Sequence, residues 1–222
     1  PFDDNMRIDH GRMTEMTQWW MENGLGTNVA PLKVAAAMGE GPDLSDDELR
    51  PLLQTVVNAA GPDAVVICAL KNKNTLHTIE DGKMAQDVGA IGLQIDLPFF
   101  HHSNQDDFVR HFTEISDGIE IGIMIYNTYW FCKDPVKEYA RAESMLRLQD
   151  AEHVTAIKWK VPDGENYDQM GQFSHIFNVI DNSSQPVRAH KLGAAGYISP
   201  WVAAYPPHDL EVWQLLEAHR YD

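Results

Sequence analysis

The sequence predicts an α/β fold, and within that class a (β/α)8 barrel. Helical periodicities alternate with short apolar runs along the whole chain. Each of seven strand candidates leads into a helix through a short connection, which makes neighbouring strands parallel. Neither GxGxxG nor GxxxxGKS/T occurs. A doubly wound open sheet, the other architecture with this alternation, normally carries such a phosphate loop, so the barrel is favoured.

The alternation fixes the expected order of elements. Helices are predicted over residues 10–24, 44–61, 75–90, 103–118, 134–150, 167–173, 185–192 and 208–222. Strands are predicted over residues 64–70, 92–100, 119–127, 155–160, 177–181 and 196–199, and at the start of 29–40, which runs on into a glycine-containing loop. Ser45 and Glu48 have capping-box spacing, and Gly24 and Gly61 are expected helix stops. No linker marks a boundary, so residues 1–222 are expected to form a single domain whose missing strand precedes Pro1.

Composition and charge exclude several classes of function. The 222 residues include 17 Lys and Arg against 33 Asp and Glu, for a net charge of −16, which disfavours nucleic acid and anionic membranes. No apolar run reaches the roughly 18 residues of a membrane span, and the first residues lack a signal-peptide core. Cys68 and Cys132 have no CxxC spacing. These features predict a soluble, cytoplasmic protein with neither nucleic-acid nor membrane partners.

The chemistry of a parallel barrel gathers where the strands end. Strand alternation puts Ala156, Lys158 and Lys160 on one face of their strand, and Tyr126 ends the strand before it. A lysine directed into the barrel is partly desolvated, which lowers its pKa and frees a nucleophilic amine. Such an amine forms a Schiff base with a keto substrate, and a neighbouring tyrosine is suited to relay the protons.

The same residues have an alternative structural interpretation. Lys158 could instead extend to the rim, with Tyr126 as an amphipathic core residue, and spacing alone leaves both possibilities open. Lys160 is expected to be a rim residue in solvent. Lys33, within the first predicted strand, has no explanation in the sequence pattern.

Four motifs in order, LSDDE, IYN, AIK and GAAGYIS, with Pro206 downstream, resemble the dihydrodipicolinate synthase and N-acetylneuraminate lyase family of Schiff-base, pyruvate-type aldolases. The match spans nearly the whole chain. It implies a (β/α)8 barrel, often a tetramer, of which this chain lacks strand 1 and most of a C-terminal helical segment, as a trimmed portion of a longer chain would. It also implies that Lys158 forms the imine, that Tyr126 relays protons, and that the Ile198 backbone lines the site.

The sequence departs from the family pattern at three places. Where the family reads Gly-Thr-Thr-Gly-Glu, this chain reads Ala36-Ala37-Met38-Gly39-Glu40, so the two hydroxyls that hold the keto acid's carboxylate are missing. The backbone N–H groups of Ala37, Met38 and Gly39 are expected to bind the carboxylate instead. Pro98-Phe99-Phe100 replaces Pro-Tyr-Tyr, which makes the following His101 a candidate for proton handling. The segment NTYWFCK lacks the arginine of dihydrodipicolinate synthases, which argues for a different substrate.

The leading hypothesis is therefore a lyase that forms a Schiff base with a small 2-keto acid. It needs no cofactor beyond the covalent imine, no metal site is expected, and the protein is expected to be a homo-oligomer, either a dimer or a tetramer. Aldol cleavage, hydratase-aldolase chemistry and dehydration all remain open. The alternative is an inactive barrel that binds a keto acid or sugar acid as a sensor; the missing threonines motivate it, and Lys158 and Tyr126 count against it.

Overall fold

Seven parallel strands form the frame of the molecule. The computed structural model describes residues 1–70, 73–98, 102–130, 132 and 134–222. The strands are β1 (Leu32–Val34), β2 (Val66–Leu70), β3 (Gly92–Asp96), β4 (Gly122–Tyr126), β5 (Val154–Trp159), β6 (Asn178–Asp181) and β7 (Gly196–Tyr197). They lie in one sheet whose edges are β1 and β7. Every strand predicted from the sequence is present; β5 has the predicted length but begins and ends one residue earlier, and the other strands lie within the predicted ranges.

The strand order is the order along the chain. Each strand pairs in parallel with the next, from β1 and β2 through to β6 and β7. A doubly wound sheet would reverse its strand order at a switch point, whereas a barrel adds each new strand beside the last. The barrel prediction is therefore confirmed for the order of the strands, and their carboxyl ends face one edge.

Helices precede the first strand, lie in connections between strands and follow the last strand. They are α1 (His10–Glu22), α2 (Asp46–Ala60), α3 (Thr75–Val88), α4 (Gln105–Gly118), α5 (Pro135–Glu138), α6 (Ala142–Leu146), α7 (Pro186–Lys191) and α8 (Pro206–Glu217). The segment Tyr167–Gln172 is a 3₁₀ helix. The capping box of α2 is present, with the Ser45 N–H donating to Glu48 Oε2 at 2.8 Å. None of the helices in the described ranges has the length and apolar character needed to cross a bilayer.

The single helix predicted over residues 134–150 is wrong, because two short helices, α5 and α6, replace it. The side chain of Asn127 explains the break. Its Oδ1 accepts from the Ala140 N–H at 3.0 Å, and its Nδ2 donates to the Ala140 carbonyl oxygen at 3.1 Å. The Tyr139 carbonyl oxygen likewise accepts from Gln105 Nε2 at 3.0 Å. Backbone groups that a continuous helix would pair with one another are thus taken by side chains of other elements.

The apolar core lies between the sheet and its helices. On β5, Ile157 and Trp159 point to this outer layer and are fully buried. Trp159 packs edge-on against Phe173 at 5.1 Å between ring centres, and its Nε1 donates to the Tyr167 carbonyl oxygen at 3.0 Å. Since successive side chains of a strand alternate in direction, Lys158 between them faces the barrel interior. The packing of the outer layer therefore fixes the direction of the lysine.

Asn127→Ala removes both bonds to Ala140 from a fully buried side chain. A buried N–H and a buried C=O then lose their partners, so the free energy of unfolding should fall by about 2 to 4 kcal/mol. Urea unfolding measures the change. Asn58→Ala is the matched control, because Asn58 is exposed and, among the described residues, its side chain bonds only Gln54; it should change stability by no more than about 0.5 kcal/mol. Equal losses in the two variants would contradict this role of Asn127.

Candidate active site

Three polar side chains lie side by side at the carboxyl edge of the sheet. Asp96 is the register partner of Tyr126, and Tyr126 is the register partner of Lys158. They end, or nearly end, the adjacent strands β3, β4 and β5, and all three face the barrel interior. The sequence predicts Tyr126 and Lys158 at matching height on neighbouring strands, and β4 and β5 pair with these two residues as register partners.

Lys158 is a buried amine. Its residue is 6% exposed, its Nζ lies 3.6 Å from the centre of the Tyr126 ring, and it donates to Gln94 Oε1 at 3.5 Å. Burial, and then the positive charge of Lys33, lower the pKa of Lys158 to about 7, against which the charge of Asp96 acts. A substantial fraction of this amine is therefore unprotonated near neutral pH, as a nucleophile requires.

Tyr126 holds its proton beside that amine. The residue is buried, and its hydroxyl accepts from Asn182 Nδ2 at 3.2 Å. Burial raises the pKa of Tyr126, and the charge of Asp96 raises it further. The phenol is therefore neutral near pH 7 and is able to donate a proton and take it back.

Three further polar residues belong to the site, and sequence reasoning did not assign them to it. Lys33 on β1 donates to Gln94 Oε1 at 2.9 Å, so the two lysines share one amide oxygen. Asp96 Oδ1 is buried and has no hydrogen-bond partner in the described part of the chain. Burial raises the pKa of Asp96 to about 6, although the charges of Lys158 and Lys33 act to lower it. The signal was available, because strand alternation puts Gln94 and Asp96 on one face of their strand.

The turn predicted to hold a carboxylate follows β1 at the same edge. Residues Ala37–Gly39 form a single 3₁₀ turn, and the Met38 residue is 84% exposed. The Gly39 N–H is already engaged, since it donates to the Ala36 carbonyl oxygen at 2.8 Å. Ala35 has a φ of +60°, and a Cβ on Gly41 would lie 1.6 Å from the Ala35 carbonyl oxygen. The chain here is held in a strained, close-packed conformation that only a glycine at position 41 permits.

Two further residues, Ile198 and His101, are predicted to belong to the site. Ile198 directly follows β7, and its N–H donates to the Asp181 carbonyl oxygen at 2.8 Å. His101 lies outside the described residues. The next residue, His102, is exposed and places its Nδ1 2.9 Å from Glu138 Oε1.

A cavity of about 400 Å³ opens beside the ends of β5 and β6. Its lining includes the side chains of Tyr129, Lys160, Asp163, Glu165, Gln185 and Arg188. Lys160, predicted to be a rim residue in solvent, is half-buried, with its Nζ 5.2 Å from the centre of the Trp130 ring and 5.9 Å from that of Tyr129. The cavity is therefore a largely polar space with aromatic residues at one side.

Comparison with known proteins gives consistent results. The chain matches the model of the dihydrodipicolinate synthetase family over residues 1–216. It is 32% identical over 205 residues to 4-hydroxy-tetrahydrodipicolinate synthase of Exiguobacterium sibiricum, covering 90% of this chain and 68% of that protein. It is 28% identical over 185 residues to 4-hydroxy-tetrahydrodipicolinate synthase 1 of Halalkalibacterium halodurans, covering 82% of this chain and 56% of that protein.

A solved structure extends the comparison to the fold. The crystal structure of the chloride-inhibited dihydrodipicolinate synthase from Acinetobacter baumannii, complexed with pyruvate, matches with a TM-score of 0.85 at 21% identity, covering 98% of this chain and 73% of that one. The chain thus has the fold of these relatives, as a seven-stranded parallel half-barrel. It spans about half the length of several curated relatives that it matches.

Lys158→Met should stabilise the protein, because an apolar side chain replaces a buried amine. A gain of about 1 to 3 kcal/mol corresponds to roughly 3 to 9 °C in Tm for a chain of this size. Between the native pKa of about 7 and the ordinary lysine value of about 10.4, the unfolded chain binds more protons, so wild-type stability rises with pH. The gain should therefore be larger at about pH 6 than at about pH 9. Thermal unfolding measures it, with the exposed Lys83→Met as control; a pH-independent gain would contradict the lowered pKa.

Proposed function

The chain belongs to the dihydrodipicolinate synthetase family, and on that premise we propose that it is a Schiff-base-forming lyase that acts on a 2-keto acid. One observation carries the proposal: a buried amine of lowered pKa, Lys158, lies at the carboxyl edge of the sheet against the ring of Tyr126. Pyruvate, the 2-keto acid named in the Acinetobacter baumannii complex, is the first substrate to test.

The first step joins Lys158 to the substrate. The unprotonated Nζ attacks the keto carbon and forms a C–N bond, while the carbonyl oxygen takes up a proton. Loss of that oxygen as water, with protons supplied and returned by neighbouring groups, leaves an imine, which a further proton converts to the iminium. The iminium then accepts electrons when a bond to the adjacent carbon forms or breaks. No external cofactor is needed for this sequence.

Tyr126 is the proposed proton donor and acceptor for these steps. Its raised pKa keeps the hydroxyl protonated until a stronger base is present, and Asn182 orients the oxygen through its 3.2 Å hydrogen bond. Lys158 lies over the same ring, so a substrate bound to Nζ is near the hydroxyl. His101 stays a predicted contributor.

The turn Ala37–Gly39 is the proposed carboxylate site. It has no hydroxyl side chain, and the Gly39 N–H is bonded within the turn, so the Ala37 and Met38 N–H groups are the proposed donors. The Ile198 backbone is the proposed opposite wall. Its N–H is paired to the Asp181 carbonyl oxygen, so the Ile198 carbonyl oxygen is the proposed contact to the ligand.

Aldol cleavage, hydratase-aldolase chemistry and dehydration all pass through the same iminium, and the proposal covers the three. A substrate other than that of dihydrodipicolinate synthase is favoured, because the segment after β4 carries Tyr129 and Trp130 and no arginine. The cavity beside Lys160 has room for the part of the substrate that does not react. Assembly as a homodimer or homotetramer stays a prediction.

Incubation with pyruvate and borohydride should leave a stable adduct on Lys158, because reduction of the imine makes the C–N bond permanent. Mass spectrometry of the intact protein and its peptides locates the adduct. Lys158→Ala should give none at that site, whereas the exposed Lys83→Ala should label like wild type. Absence of any adduct with pyruvate and a panel of 2-keto acids would reject the lyase and favour the sensor.

Tyr126→Phe separates the nucleophile from the group that relays its protons. The phenylalanine keeps the ring against Lys158 and removes only the hydroxyl, so the borohydride adduct should still form on long incubation, although more slowly than in wild type, because water can move the protons of imine formation. Steady-state turnover should fall by about 100-fold or more, the usual loss when a positioned proton donor is removed. The assay is turnover of whichever keto acid gives the adduct. Turnover within a few-fold of wild type would show that another group moves the proton.

A further inference from the structure

Two lysines meet at one acceptor inside the barrel. Gln94 Oε1 accepts from Lys33 Nζ at 2.9 Å and from Lys158 Nζ at 3.5 Å. Each nitrogen therefore lies within one hydrogen bond of the same oxygen, although Lys33 comes from β1 and Lys158 from β5. The shorter contact belongs to Lys33, so Lys33 is the stronger donor of the two.

Four titratable groups act on Lys158 from the strands around it. Lys33 faces it from β1, Asp96 from β3 and Tyr126 from β4, and Lys160 comes directly after the end of β5. The charges of Lys33 and Lys160 lower the pKa of Lys158, and the charge of Asp96 raises it. Asp96 also favours the charged form of Lys33. Among the described residues, the group around Gln94 therefore contains two amines and one carboxylate, and one carboxylate can balance the charge of one ammonium.

We propose that Lys33 is a positioning residue for Lys158: it carries the ammonium that Asp96 balances and takes the shorter bond to Gln94, so that Lys158 is the amine left neutral. This assignment rests on the proposed function for its catalytic meaning. It explains why a strand of the barrel interior carries a second lysine, and why Asp96 Oδ1 is buried with no hydrogen-bond partner among the described residues. The carboxylate acts through its charge on the two amines rather than through a hydrogen bond to either.

The same groups also stabilise the positive charge that forms on Lys158 during the reaction. When Lys158 becomes an iminium it regains a positive charge, and Asp96 is the carboxylate that faces it from β3. Lys33 then shares that carboxylate, and transfer of a proton from Lys33 to solvent or product would restore the balance. Lys33 is half-buried and so retains a path to water. Lys33 and Asp96 therefore set the protonation state of Lys158 before the reaction, and they do not hold Lys158 as the iminium afterwards.

The test measures the protonation of Lys158 directly and without a keto acid. Brief reductive methylation with formaldehyde and dimethylamine borane labels only unprotonated amines, and peptide mass spectrometry gives the rate at Lys158 as a function of pH. In Lys33→Met the midpoint for Lys158 should move up by on the order of one pH unit, because a nearby positive charge is removed. In Asp96→Asn it should move down, because the opposing negative charge is removed.

The opposite shifts expected in Lys33→Met and Asp96→Asn distinguish an effect of charge from an effect of altered packing. Loosened packing would hydrate Lys158 and raise its midpoint in both variants, whereas the proposal requires opposite shifts. Lys33→Arg keeps the charge and should leave the midpoint close to wild type. Lys160→Met removes the weaker of the two positive influences and should shift it less than Lys33→Met does. If Lys33→Met does not fold, Lys33→Gln takes its place, because it also removes the positive charge while keeping a polar side chain, and it should raise the midpoint in the same way.

An unchanged midpoint in folded Lys33→Met, or an upward shift in Asp96→Asn, would overturn the proposal. Its failure is distinguishable from failure of the proposed function. A protein that gives no borohydride adduct but shows the opposite shifts has the charge arrangement without the lyase chemistry. A protein that gives the adduct but shows no shift in Lys33→Met is a lyase whose amine is made neutral without a contribution from Lys33.

Discussion

The site depends on the in-register pairing of β3, β4 and β5. Parallel pairing places residues at equal heights, so Asp96, Tyr126 and Lys158 come together without any loop having to position them. A slip of one residue in β5 would exchange Lys158 with Trp159, placing an amine in the apolar layer and an indole in the barrel. Trp159 is fully buried against Phe173, so the packing of the outer layer opposes that slip. The register of these strands thus determines both the packing of the apolar outer layer and the position of the reactive groups inside the barrel.

The polar side chains inside the barrel destabilise the fold, and the apolar layer between the sheet and its helices compensates for them. A cluster of two lysines, a glutamine and an aspartate occupies positions that apolar side chains would fill more stably. Burial works against the charged form of each ionisable member, and it is the first cause of the lowered pKa at Lys158. The reactive amine at Lys158 therefore lowers the stability of the fold. Burial of Ile157 and Trp159, on the opposite face of the same strand, stabilises it.

Much of the architecture could be predicted from the sequence, because strand and helix periodicities are local. Periodicity predicts all seven strands, and their parallel order follows from short helical connections. It does not predict the break between α5 and α6, since that break depends on hydrogen bonds from Asn127 and Gln105, which are remote in sequence. Lys158 and Tyr126 can be identified from the sequence because they lie at or next to the ends of their strands. Strand alternation does put Gln94 and Asp96 on one face of their strand, but their grouping with Lys33 depends on which strands face one another across the barrel, and that is not a local property.

Asn127 joins the reactive strand to the outer layer of the protein. Its N–H donates to the Lys158 carbonyl oxygen at 3.0 Å, while its side chain holds both backbone groups of Ala140. The connection between α5 and α6 is therefore tied to β5, although it has no regular secondary structure of its own. The amide hydrogen of Ala140 can exchange with solvent only when this buried asparagine is released. Its exchange rate should thus resemble that of strand amides rather than that of loop amides, and it reports on how often the backbone beside Lys158 opens.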